Sequence, residues 1–164
     1  MYSDYLSINK NFQSSVNLEL DLGKETKISE YIPTTDICDV LKKYIRVALG
    51  LSKDNATTLI GPYGKGKSFL LMVLSFVYSK HKNSKEWDEL LSKIKPIDEE
   101  LFNLLGQVKQ KDINLLPVII NSNYDNITQS FQIALNDALK REGMNEIVPV
   151  SAFEVCLDLL EKWT

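Results

Sequence analysis

Arginine is scarce in this chain: of 19 basic residues only Arg46 and Arg141 carry a guanidinium, and the formal net charge is −3. A surface that neutralises nucleic-acid phosphates needs a clustered basic face. No direct nucleic-acid surface is therefore expected, and contact with DNA or RNA would fall to another region or subunit. Cysteine is scarce too. Cys38 and Cys156 each lie in an apolar helical pattern, too isolated for a disulfide framework or a zinc site, and both are read as core. The single histidine, His81, stands between Lys80 and Lys82 and is read as solvated surface. No apolar run approaches the roughly 18 to 20 residues of a membrane span. Met1-Tyr2-Ser3-Asp4-Tyr5 has no basic stretch leading into an apolar one, as a secretory signal would. A cytoplasmic home is the expectation.

What remains is the composition of one ordinary globular domain: 164 residues, 44% apolar and 25% charged, enough to bury a single core without staples. Val16, Leu18, Leu20 and Leu22 alternate with polar residues, the period-two signal of a half-buried strand ended by Gly23. Thr34-Thr35-Asp36 offers helix-capping chemistry, and Ile37, Val40, Leu41, Tyr44, Ile45 and Ala48 then recur at helical spacing up to Gly50. Thr57 to Ile60 is a short β-favouring run, and the apolar stretch Phe69 to Val77 reads as a buried helix. Two helices are predicted between about 85 and 109, separated by Pro96. Leu115 to Ile120 reads as a buried parallel strand, and Ile127 to Leu139 as a helix ended by Gly143. A capping box at Ser151 to Glu154 predicts a last helix through Leu160.

Between the β-favouring run and the buried helix lies Gly61-Pro62-Tyr63-Gly64-Lys65-Gly66-Lys67-Ser68. It fills every position of the spacing G-x-x-x-x-G-K-[ST]. A phosphate chain needs several backbone N–H groups converging on one concavity, which glycines permit, and the helix that follows adds its positive N-terminal end. Lys67 is expected to reach the β and γ phosphates as a point charge. Ser68 is expected to give its hydroxyl to magnesium (Mg2+), which binds few protein groups and keeps several waters. Gly64 adds a third flexible point. Lys65 is read as solvated, and Tyr63 either stacks on a ligand or covers the loop.

At these residues the chain resembles the P-loop NTPases, specifically the AAA-like ATPases of large bacterial proteins, including those of phage-exclusion (phage defence) systems. The resemblance covers about residues 28 to 142. It is carried by Tyr31-Ile32-Pro33-Thr34 leading into a helix, and by Leu59-Ile60-Gly61-Pro62-Tyr63-Gly64 with Gly66-Lys67-Ser68. It implies ATP and Mg2+ as ligands, a nucleotide site over Gly61, Pro62, Tyr63, Gly64, Lys65, Gly66, Lys67, Ser68 and Phe69, catalytic work for Lys67, the metal on Ser68, and assembly with other subunits. Such ATPases also place an acidic pair after an apolar strand. Here Pro117 to Ile120 runs into Asn121-Ser122-Asn123, with Asp125 the nearest carboxylate. Asn121 is either a degenerate acidic position or part of a different strand. The second reading makes the chain a piece of a longer ATPase that continues beyond Thr164.

The expected fold is therefore α/β: a three-layer P-loop NTPase-like core with a mainly parallel sheet, an N-terminal extension and a helical insertion between about 81 and 113. The extension, with its strand, takes residues 1–27, and the nucleotide-binding domain residues 28–164. The expected function is binding of Mg-nucleotide at 61–68 without hydrolysis by the isolated chain, and ATPase activity if a longer chain supplies the acidic group. A non-catalytic nucleotide-binding assembly module is the alternative from another class. A small kinase fits the length but not the two arginines, and a GTPase lacks its Asn-Lys-x-Asp.

Overall fold

The structure, a computed structural model, describes residues 16–22, 24–62, 64, 66–120, 126–148 and 160–162. Among the described residues the α-helices α1 (Leu18–Asp21), α2 (Thr35–Ala48), α3 (Lys67–Val77), α4 (Lys85–Ile94), α5 (Glu99–Gln110) and α6 (Ile127–Arg141) follow one another. Short 3₁₀ helices lie at Glu25–Glu30 and Asn145–Ile147. The chain divides into two compact units, residues 1–115 and 116–164. No described helix is long and apolar enough to cross a membrane.

The expected α/β fold is overturned. Among the described residues there is no strand and no sheet. The alternating stretch from Val16 closes instead into α1, where the Asp21 amide donates to the Asn17 carbonyl at 2.8 Å and the Asp21 carboxylate accepts the Asn17 amide at 3.0 Å. Thr57 to Ile60 is irregular chain on the surface, with Ile60 92% exposed. Leu115 to Ile120 has no residue in the buried class, and Leu115 and Ile120 at its ends are about half exposed. A strand satisfies its backbone through a neighbouring strand, whereas a helix does so within itself. Apolar periodicity reports the face a segment buries and says nothing of that neighbour.

The helical insertion is corrected with the sheet, because α4 and α5 form the centre of the first unit. Trp87, Leu90 and Ile94 on α4 and Leu101, Leu105 and Val108 on α5 are all 1% exposed or less. With Cys38, Leu41 and Ile45 of α2 and Val73 and Val77 of α3 they make one core. Fully burying such a side chain contributes about 1.5–3 kcal/mol. α3 is apolar almost all round and buries most of its residues, with Leu71 left exposed.

The helix ends are chemically specified. Ser84 caps α4 by accepting the Trp87 amide, and Asp98 caps α5 by accepting the Leu101 amide at 2.9 Å. Asp98 also takes Lys42 of α2 at 2.8 Å, which holds its carboxyl below the usual range. α2 closes at Gly50 with the paired bonds of a Schellman motif: the Gly50 amide to the Val47 carbonyl and the Leu51 amide to the Arg46 carbonyl. α6 closes in the same way at Gly143, and α5 at Asp112. Asp112 adopts a left-handed φ of 47° without being glycine, and its carboxylate lies 3.7 Å from the ammonium of Lys82. That buried lysine also donates to the Ser79 carbonyl and to Asn114, and burial lowers its pKa. The turn after α3 and the exit from α5 are thereby tied together, and the Leu115 amide bonds the Tyr78 carbonyl at 3.0 Å.

Candidate functional site

The glycine loop delivers the chain from the exposed stretch 52–62 into the first turn of α3. Gly64 and Gly66 take left-handed φ values of 79° and 77°, a region that L side chains disfavour. Gly66 is the residue at which α3 begins, and its carbonyl accepts the first helical bond, from the Leu70 amide, at 2.9 Å. The amides of Lys67, Ser68 and Phe69 lie ahead of that ladder and sit at the positive end of the helix. A Cβ built on Gly61, Gly64 or Gly66 would meet nothing within 4 Å, so the space beside the loop is open.

Lys67 is the first residue of α3, and its side chain folds back over the loop. Its ammonium donates to the Gly61 carbonyl at 2.7 Å and to the Pro62 carbonyl at 2.8 Å. The positive charge is thus held against the start of the loop. Ser68 and Phe69 are half-buried, while Gly61, Pro62, Gly64 and Gly66 are exposed. The loop residues Tyr63 and Lys65 lie outside the described residues, as do Asn121, Asp125, Cys156 and most of the predicted last helix. Cys38 is fully buried, and His81 is exposed.

The features that suit an anionic ligand are the N-terminus of α3 and the Lys67 ammonium beside it. They also suit magnesium brought in with phosphates, since that ion is held by one or two protein groups beside the phosphate oxygens, and Ser68 supplies one. Among the described residues no group of three or more His, Cys, Asp or Glu side chains is placed to hold a metal by itself. Each of the two arginines has a hydrogen-bond partner. Arg46 donates to Glu100 at 2.8 Å, and Arg141 donates to the Pro117 carbonyl at 2.9 Å.

Sequence reasoning did not find the support behind the loop. Phe69 stacks on Tyr31, 38 positions earlier in the chain, with ring centroids 5.2 Å apart and planes at 21°. Tyr31 is 3% exposed and burial pushes its hydroxyl pKa up. Lys93 of α4 donates to the carbonyls of Ser29 and Tyr31. No periodicity or local motif joins residues so far apart. No protein-family model matches the chain, and no curated protein or solved structure matches it. The site is therefore read from its own residues.

Proposed function

We propose that residues 61–68 bind the phosphate chain of Mg-ATP or Mg-ADP, and that the chain is the nucleotide-binding part of an AAA-like ATPase. The observation that carries this reading is the Lys67 ammonium poised over the Gly61 and Pro62 carbonyls, at the start of an apolar helix preceded by two left-handed glycines. The phosphate contacts of this reading come from the loop and the first turn of α3. Amides of the loop and first turn donate hydrogen bonds to the phosphate oxygens. Lys67 would exchange the two carbonyls for the β and γ phosphates, and Ser68 would hold Mg2+, which would supply positive charge at the phosphate oxygens. A cytoplasmic location, and assembly with other subunits or with the remainder of a longer chain, belong to the same reading.

A second reading, a nucleotide-binding assembly module that does not split ATP, is favoured by the two arginines. An arginine finger must be free to reach the transferring phosphoryl group, and Arg46 and Arg141 are paired with Glu100 and Pro117. Calorimetric titration of the chain with Mg-ATP, Mg-ADP and Mg-tripolyphosphate tests the proposal. Saturable binding of all three is expected, because the loop addresses phosphate. Absence of binding at millimolar ligand to a folded chain would sink both readings. Phosphate release from Mg-ATP separates them: turnover of about 1 per second or faster, abolished by Lys67→Ala, would rule out the module.

A further inference from the structure

Lys93 of α4 grips the segment leading into α2, and that segment carries the ring that stacks on the first turn of α3. Lys93 donates to the Ser29 carbonyl and, at 3.0 Å, to the Tyr31 carbonyl. Glu89, one helical turn earlier, lies on the same face of α4, and its pKa is lowered by the nearby Ser29 side chain first and by Lys85 next. Tyr31, two residues after Ser29, is buried and stacks on Phe69. Phe69 follows Ser68 directly and lies in the first turn of α3.

From these contacts we infer that Lys93 is a positioning residue for the phosphate loop: by fixing the Ser29–Tyr31 backbone it holds the Tyr31 ring against Phe69 and so sets the first turn of α3. The inference rests on the nucleotide reading of the loop. Coupling of this kind is reciprocal. What loosens α4 weakens the ligand at the loop, and a ligand that orders the loop protects α4. The chain of contacts is physical at each step: two charge-assisted bonds to backbone carbonyls, a ring stack and a peptide bond. It makes α4 the route by which a partner bound to that helix would change nucleotide affinity.

The test compares amide hydrogen exchange in the 164-residue chain and in Lys93→Met, Lys93→Arg and Tyr31→Leu, without ligand. The Leu70 amide reports the first turn of α3, because it makes that helix's first bond, and the amide of Leu105, inside α5, reports global stability. In Lys93→Met the Leu70 amide should exchange faster by about tenfold or more relative to Leu105, the change expected from losing a charge-assisted bond. Lys93→Arg, which keeps donors for both carbonyls, should recover most of the protection. Tyr31→Leu leaves the carbonyls in place and should accelerate Leu70 as Lys93→Met does. Equal acceleration of Leu70 and Leu105 would overturn the inference, as would an unchanged Leu70. If Lys93→Met does not fold, Tyr31→Leu decides alone, and an unaccelerated Leu70 there overturns it. Titration with Mg-tripolyphosphate keeps the two proposals apart. Lys93→Met should weaken it by about tenfold where the parent binds. A parent that fails to bind removes the nucleotide reading while the exchange result still stands or falls by itself.

Discussion

The ammonium of Lys67 lies 2.7 Å from the carbonyl oxygen of Gly61, so the first residue of α3 closes the loop onto the residue that opens it. With the second bond to Pro62, the lysine ties the loop together and is also its proposed phosphate ligand. Binding of phosphate exchanges two neutral acceptors for an anionic one, which forms the stronger charge-assisted bond.

Lys67→Ala should therefore have two measurable effects. Affinity for Mg-ATP and Mg-tripolyphosphate should fall by roughly ten- to a hundredfold, the equivalent of about 1.5–3 kcal/mol for a hydrogen bond to a charged group. The amides of Gly64 and Gly66 should also exchange faster in the ligand-free variant, because the tie is gone. Equal calorimetric affinity of a folded variant and its parent would remove Lys67 from the site.

How far the molecule was legible depended on whether the determining interactions were local. Helices α2 to α6 could be read because their backbone bonds close within four residues, and Gly50 and Gly143 stand where the Schellman geometry needs a left-handed residue. The loop's glycines could be read as turn positions, because Gly64 and Gly66 take a left-handed φ that favours glycine. The strands could not, because alternation at Val16–Leu22 and apolarity at Leu115–Ile120 say nothing of a ladder partner. The central place of Trp87 and Leu105 was missed for a related reason: the sheet assumed from the loop motif reduced their helices to an appendage. The stack of Tyr31 on Phe69 and the grip of Lys93 join positions dozens of residues apart, beyond any local pattern.

Gly66→Ala isolates the backbone geometry of the loop. Its Cβ would meet nothing within 4 Å, so the substitution introduces no clash, only the strain of an L residue at φ 77°. That strain is about 1–2 kcal/mol, and the midpoint of denaturant unfolding should drop accordingly. Gly66→Asn should lose less, because asparagine enters the left-handed region more readily. If alanine and asparagine both leave the midpoint unchanged, the left-handed turn at Gly66 is not required.

Asp21 predicts an acid-side loss of stability. Its carboxylate meets Lys27 at 2.5 Å and Lys24 at 3.1 Å. Lys27 is the main cause of a pKa near 2, against burial, which raises it. The folded value lies below the ordinary 3.8, so the stabilisation is whole above about pH 4 and is lost as the pH falls through about 2. Asp21→Asn should be less stable than the parent at pH 7 and should lose less stability on going from pH 4 to pH 2. Asp98, also lowered by its lysine partner, leaves the variant with some acid sensitivity. Parallel stability curves for the two chains would show that the Asp21 cluster does not contribute.

Trp87 offers the sharpest test of the core, because its two properties pull in opposite directions. The side chain is fully buried and lies beside Phe76, with ring centroids 6.1 Å apart. Its indole N–H, also buried, has no hydrogen-bond partner among the described residues. Packing favours the residue, and an unpaired buried donor opposes it by about 1–3 kcal/mol. Trp87→Ala removes the packing and leaves a cavity, for an expected loss of about 3–5 kcal/mol, a large part of the total stability of a domain this size. Trp87→Phe keeps a ring against Phe76 and removes the orphan donor together with some volume. The two changes largely offset, so the loss should stay below about 1.5 kcal/mol, as for other well-tolerated apolar exchanges. Denaturant unfolding of the three chains, with unchanged slope, decides it. A loss for Trp87→Phe as large as for Trp87→Ala would mean that the indole N–H makes a bond that stabilises the fold, and that α4 is held by more than its apolar face.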